Sequence, residues 1–411
     1  MTQLDSKFIR SQFPAFAEPS LTGWGFFENA GGSYTCRQVI SCLKDYYTKT
    51  KVQPYYNFPA SQKAGAAMDE SYSRLATYLN VPENEVQFGP STTQNLYVLA
   101  QAFRELWNEG DEIIVSNQDH EANAGFWRRL AKTGIVIKEW CIDPANGMLN
   151  PDDLDAMLSQ KTRLLAFPHC SNIIGQVNPV AEIVAKAKNA GIRVVVDGVA
   201  YAPHGLPDIG SLGADIYLFS LYKTWGPHLG LMTIKKDVMD DLPNQGHFFN
   251  EHVIRKKMLP AGPDHAQIAA ASGVARYLDS VYEHHFPQTT GDQAEKGRRL
   301  KKLFQDHERR LLTGLLEWLR QRDDICIIGP DDPALKVPTV CFVPKKKSID
   351  EVFEVLTAKK LMVGQGHYYG ARPLMALNIP LDTGVLRLSF LHYTIEEEIS
   401  QLIEGLSAAL G

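Results

Sequence analysis

Between about Val86 and Thr233 the chain alternates short apolar runs with amphipathic stretches, and nothing else in it narrows the possible folds as much. The runs are Val86–Phe88, Glu112–Ser116, Ile135–Trp140, Arg163–Phe167, Ile192–Val196, Ile216–Phe219 and Leu229–Ile234. Helical patterns lie between several of them, for example Thr93–Leu106 and Pro179–Ala190. Strands that alternate with helices in this way pack as a largely parallel sheet with helices on both faces. The expectation is an α/β protein.

The pattern changes downstream. A loop-rich segment, His247–Asp264, carries two prolines and a Pro-Ala-Gly-Pro turn. Long helical patterns follow at Gln267–Tyr282 and roughly Thr290–Arg320. After Asp323 come Ile325–Ile328, Val337–Phe342, Ser348–Lys359, Leu361–Val363, Val385–Leu388 and Ile395–Leu410, a mixture that suggests a smaller α/β unit. The expected division is 1–265 for an amino-terminal segment with the large unit, and 266–411 for linking helices with the small carboxyl-terminal one.

Composition excludes several partners. With 411 residues, 44% of them hydrophobic and 22% charged, the chain is ordinary for a water-soluble protein. A net charge of −5 and a pI near 6.2 argue against nucleic acid or an anionic membrane as partner. No stretch of about 18 apolar residues is present, so no membrane span is expected. Met1–Ser20 has no apolar core of a signal peptide. The six cysteines (Cys36, Cys42, Cys141, Cys170, Cys326 and Cys341) form no CxxC pair and read as reduced thiols of a cytoplasmic protein. The twelve histidines include no HExxH, and no metal site is expected.

In an open α/β sheet, ligands bind at the carboxyl ends of the strands. Asp197 closes one apolar run and Lys223 lies just past another. A lysine amine can form a Schiff base and a carboxylate can hold a pyridinium nitrogen, which is the pair that pyridoxal 5'-phosphate (PLP) requires. Ser91, Thr92 and Thr93 follow the run ending at Phe88 and suit a helix start, where free N–H groups attract phosphate. The same three residues equally describe a capped helix and nothing more. Ser220 and Tyr222 bring hydroxyls beside Lys223. His120 follows Glu112–Ser116 and could stack on an aromatic cofactor, although a lone histidine is more often structural. Asn172 has the reach to bond a ring hydroxyl or a substrate carboxylate, or serves only as a turn residue. Arg387, in an alternating apolar strand, either points outward or needs a buried anion, such as an α-carboxylate, as partner.

Taken in order, several motifs resemble one family. Val196-Asp197-Gly198-Val199-Ala200-Tyr201-Ala202-Pro203-His204, Phe219-Ser220-x-x-Lys223 and Asp119-His120-x-Ala122-Asn123 look like the class V aminotransferase family, the cysteine desulfurase-like branch of fold type I PLP enzymes. Phe27-Glu28-Asn29-Ala30-Gly31-Gly32, Ser91-Thr92-Thr93, Ser171-Asn172-x-x-Gly175 and Gly366-His367-Tyr368-Tyr369 through Arg387 are similar to it as well. The resemblance implies a large domain with a mostly parallel seven-stranded sheet and a smaller carboxyl-terminal domain. It assigns Lys223, Asp197 and His120 to catalysis, as Schiff-base lysine, pyridine-nitrogen partner and stacking ring. It gives Ser91, Thr92, Thr93, Ser220 and Tyr222 to the phosphate, Ala200 to the cofactor, and Asn172, Arg387 and His367 to the substrate. It also implies a homodimer.

Three departures qualify this. The desulfurase loop of form Gly-His-His-Cys-Ala reads Gly366-His367-Tyr368-Tyr369-Gly370-Ala371, without the nucleophilic cysteine. A glutamine after the aspartate is replaced by Ala200, leaving His204 or Asn172 to meet the ring oxygen. A threonine lent to the neighbouring subunit is replaced near Gly262-Pro263. The expected activity is therefore PLP chemistry at Cα of a small amino acid, with C–S β-elimination favoured and transamination or epimerisation as alternatives. A nicotinamide enzyme, from the Gly364-x-Gly366-x-x-x-Gly370 spacing, and a non-catalytic scaffold are the distant rivals. Tyr55, Tyr56, Trp127, His367 and Tyr368 are the expected pocket walls.

Overall fold

The structure is a computed structural model, and it describes residues 2–288 and 291–411. Its strands, in chain order, are β1 (Gly25–Phe26), β2 (Val86–Gly89), β3 (Glu112–Ser116), β4 (Val136–Trp140), β5 (Thr162–Pro168), β6 (Arg193–Asp197) and β7 (Ile216–Ser220). There follow β8 (Gly230–Ile234), β9 (Ile325–Ile328), β10 (Thr339–Pro344), β11 (Leu361–Met362), β12 (Gly364–Gly366) and β13 (Val385–Ser389).

The seven expected runs all enter one sheet of order β2-β8-β7-β6-β5-β3-β4. Strands β4, β3, β5, β6 and β7 are mutually parallel, and β8 runs antiparallel to both its neighbours. Such strands are apolar on both faces because both faces are covered. In β6, Val194 and Val196 enter one core while Val195 enters the other. The first core takes the helices Arg37–Lys49, Pro59–Leu79, Val180–Asn189 and His265–His285, and the second takes Thr92–Arg104 and Glu121–Arg129.

The chain leaves β3 for β4 on one side and returns to place β5 on the other. The crevice at the carboxyl ends of β3 and β5 is thus a topological switch point, where ligands of open α/β sheets bind. His120 follows β3, Asn172 follows β5, and Asp197 and Lys223 follow on β6 and after β7.

The smaller unit is a four-stranded antiparallel sheet, β12-β13-β10-β9, covered by the helices Ile349–Ala358 and Glu396–Leu410 and by the end of Gln293–Arg320. The expected start of that last helix, Thr290, lies outside the described residues. Strand β1 pairs with β11, and Phe27 enters the small unit's core, so the amino-terminal segment shares contacts with that unit. Gly364 and Gly366 pair with Arg387 and Val385 in an edge strand, which is what the glycine spacing here signifies, not a dinucleotide loop. No helix among the described residues is long and apolar enough to cross a membrane.

Candidate active site

Lys223 ends the short turn Leu221–Lys223 that follows β7, and it is only 8% exposed. Its Nζ has no hydrogen bond or ion pair among the described residues. Burial, and then the nearby Arg387 charge, lower its pKa to about 8, with Asp197 and Glu28 opposing. Asp197, the last residue of β6, is 5% exposed. Its Oδ1 accepts a 2.9 Å hydrogen bond from the Val199 N–H. Burial raises its pKa to about 6 against the pull of that N–H and of Lys223. The amine and the carboxylate line one inner cavity.

At one end of that cavity the helix Thr92–Arg104 begins. Ser91 is its N-cap: the Oγ accepts from the Gln94 N–H at 3.1 Å, and Ser91 does not line the cavity. That side chain is used up by the cap. Thr92 Oγ1 and Ser220 Oγ lie 2.8 Å apart and buried, while Thr93 and Tyr222 complete the wall. The helix start sits this close to β8 because residue 230 is glycine. A Cβ there would come within 2.4 Å of the Ser91 carbonyl carbon. Unpaired N–H groups, four hydroxyls and a helix dipole make this end suitable for a phosphate.

His120 caps the helix Glu121–Arg129, with Nδ1 accepting from the Ala122 N–H at 3.0 Å, which leaves the ring proton on Nε2. Burial, then the positive Lys223 and Arg387, push its pKa down to about 3, so the ring is a neutral imidazole. Ala200 also lines the inner cavity. His204 does not. Its Nδ1 is 2.8 Å from Glu308 Oε2 in a separate cavity, so it is no partner for a ring oxygen. Asn172 remains: its Nδ2 donates to the Tyr368 carbonyl at 3.0 Å, and its buried Oδ1 has no partner among the described residues. A ring hydroxyl would supply the missing donor. A flat phosphorylated pyridine with a hydroxyl and an aldehyde therefore fits the residues present, end by end.

A residue that sequence reasoning missed, Asp119, lies fully buried in the same cavity. Asn123 Nδ2 donates to both its oxygens at 3.2 Å. Burial, and then the Asp197 charge, hold its carboxyl well above the usual range.

The inner cavity adjoins an outer one of about 510 Å³, and His120, Asn172 and Lys223 line both. Arg387, on β13, points inward and is 2% exposed. Its Nη2 lies 2.6 Å from Glu28 Oε1, its Nη1 donates to the Asn172 carbonyl at 3.3 Å, and the Tyr368 ring packs 3.6 Å from its guanidinium. Tyr368 and Tyr369 line this cavity in left-handed backbone conformations, φ 49° and 57°.

Other expected walls lie elsewhere. His367 is exposed, its Nδ1 accepts from the Tyr369 N–H at 3.2 Å, and it lines neither cavity. Trp127 is fully buried in the core, and Tyr55 and Tyr56 are exposed away from the site. Among the described residues, no cysteine lines the outer cavity. Cys170 lines the inner one, but burial pushes its thiol far up, so it holds no ready thiolate.

Comparison with known proteins gives a consistent picture. Residues 25–279 and 300–402 match the family described as aminotransferase class-V. The chain is 35% identical to "Aminotransferase-like protein FGM3" of Gibberella zeae, over 98% of each chain. It is 28% identical to "Cysteine desulfurase-like protein ustD" of Aspergillus flavus, over 96% of this chain and 88% of that one. Among solved structures, the apo cysteine desulfurase of Thermococcus onnurineus shares the fold, with a TM-score of 0.85 at 22% identity over 100% and 99% of the two chains.

Proposed function

The chain belongs to the class V aminotransferase family of PLP-dependent enzymes, with their fold type I architecture, and on that premise we propose that it is a C–S lyase. Its substrate would be a cysteine-derived amino acid, such as cystine or a cysteine-conjugate sulfoxide. The observation that carries this reading is the pairing of Lys223 and Asp197 in one cavity that adjoins an outer chamber without a cysteine. A persulfide-forming desulfurase needs a thiolate to receive sulfur. Here that acceptor is lacking.

Lys223 would carry PLP covalently on Nζ, and Asp197 would keep the pyridine nitrogen protonated. The helix start with Thr92, Thr93, Ser220 and Tyr222 would hold the phosphate, His120 would lie against the ring, and Asn172 Oδ1 would accept from the ring hydroxyl. Bound there, PLP supplies an electron sink for a broken Cα bond. Arg387 would hold the substrate's α-carboxylate. Lys223 Nζ, freed by the substrate amine, would take the Cα proton as general base. The C–S bond would then break with its electron pair going to sulfur, and water would release pyruvate and ammonia.

Transamination is the second reading, favoured by the aminotransferase-like relative. Lys223 would then return the proton elsewhere and the substrate would leave as its keto acid. Incubating the holoenzyme with cystine and S-alkylcysteine sulfoxides separates the two. Pyruvate and ammonia in equal amounts, with thiocysteine from cystine or a sulfenic acid (condensing pairwise to a thiosulfinate) from the sulfoxides, support the lyase. A keto acid that keeps the side chain refutes it, as does racemised substrate with no product.

A homodimer belongs to the same proposal. Phe248 and Phe249 are 83% and 67% exposed, and aromatic side chains are enriched at protein interfaces. Light scattering on the purified protein would return twice the chain mass. The free cysteines support a reducing compartment such as the cytoplasm.

A further inference from the structure

Glu28 has no part in the chemistry above, yet it occupies the guanidinium that would take the substrate's carboxylate. The ion pair is lopsided: the side chain of Arg387 is 2% exposed and that of Glu28 is 30% exposed. Both line the outer cavity beside Lys223.

Two further observations show that the pair is built in. The turn carrying Glu28 is fastened to β13 just past Arg387, with the Ser389 N–H donating to the Phe27 carbonyl at 2.7 Å and the Ala30 N–H to Ser389 Oγ at 2.8 Å. Glu28 is thereby held in register with its partner. Gly31 then makes room for the carboxylate: a Cβ at that position would lie 2.1 Å from Glu28 Oε2 and 2.5 Å from Oε1. The backbone at Gly31 is not left-handed, so the glycine serves space and not conformation. Arg387 Nε is buried without a partner among the described residues, which leaves the guanidinium able to bind a further anion.

We propose that Glu28 is a resident carboxylate that sets the selectivity of the site, holding Arg387 until the α-carboxylate of an incoming amino acid displaces it. The proposal rests on the reading of Lys223 as the PLP lysine and Arg387 as the carboxylate anchor. Two carboxylates at one buried guanidinium repel each other strongly, because the surroundings screen them poorly. A ligand whose only handle is a carboxylate must overcome that repulsion unaided. An amino acid has a second handle, since its amine is captured at the cofactor. Glu28 thus excludes simple carboxylic acids and admits amino acids.

The test uses the holoenzyme and propionate, which has the carboxylate and no amine. Calorimetric titration of wild type, E28Q and E28A gives the propionate Kd, and the visible absorbance of the PLP-lysine linkage is read on the same samples. E28Q, which keeps a neutral hydrogen bond to Arg387, is expected to bind propionate on the order of tenfold more tightly. E28A should move the same way, and so should G31A, whose Cβ takes the carboxylate's space. With an amino-acid substrate the gain should appear in KM more than in kcat. Unchanged or weaker propionate binding in E28Q would overturn the proposal and leave Glu28 as an orienting anchor only, and E28Q decides the matter if E28A does not fold. Wild type without the visible band would sink the parent reading instead.

Discussion

Replacing Asp197 by asparagine should stabilise the cofactor-free protein, and by an amount that depends on pH. The folded carboxyl titrates near 6, against 3.8 for an ordinary aspartate, because it is buried with only the Val199 N–H and the Lys223 charge to favour ionisation. Between those two values the folded protein holds a proton that the unfolded chain has lost, so stability falls as pH rises through the window. Above pH 6 the penalty is complete. At about 1.4 kcal/mol per tenfold change in proton affinity, it amounts to about 3 kcal/mol. Asparagine never ionises and can still accept from the Val199 N–H. D197N should therefore gain about 3 kcal/mol over wild type at pH 7.5 and about 1 kcal/mol at pH 4.5. Urea unfolding of both apoproteins, at one protein concentration, measures this. Added PLP should reverse the order at pH 7.5, because a protonated pyridine nitrogen pairs with the carboxylate and not with the amide. Equal differences at both pH values, or a destabilised D197N at pH 7.5, would show that burial of the Asp197 charge carries no such cost.

Three further outcomes follow from the site. Capture of PLP by the apoprotein should accelerate as pH rises toward about 8, where Lys223 becomes a neutral nucleophile, and should slow about tenfold per pH unit well below that, as followed by growth of the visible band. S91A should cost about 1 kcal/mol of stability in urea, because it removes a helix cap, with little change in PLP affinity. T92A should weaken PLP binding roughly tenfold or more through a lost hydrogen bond to a charged group.

The sheet was readable because parallel strands covered on both faces appear as continuous apolar runs between turns. Glu112–Ser116 coincides with β3, and the other six runs fall within two residues of their strands. The glycine strand β12 and the two-residue β1 carry no such pattern and could be found only through their partners, β13 and β11. The helices Arg37–Lys49 and Pro59–Leu79 precede the strand-helix alternation and could not be placed by it.

At the site, Lys223, Asp197, His120 and Asn172 share a cavity because one sheet edge gathers the strand ends. Where a side chain points was harder to foresee. Ser91 and His367 turn to neighbouring backbone N–H groups, of Gln94 and Tyr369, and these local bonds leave no trace in the pattern. Glu28 meets Arg387 across 359 positions, a distance over which a single sequence carries no pairing signal. Asp119 stood beside His120 in view, but burial alone gives it interest.

The attachment of PLP to Lys223 can be measured directly. Borohydride reduction of the holoenzyme, followed by peptide mapping, locates the lysine that carries the cofactor. Lys336 is an internal control, for it too is buried with its pKa lowered to about 8, but it stands outside the inner cavity. Attachment at Lys223 puts label on the peptide containing that residue and none on the peptide containing Lys336. Label on Lys336, or spread over surface lysines with Lys223 unmodified, would contradict it.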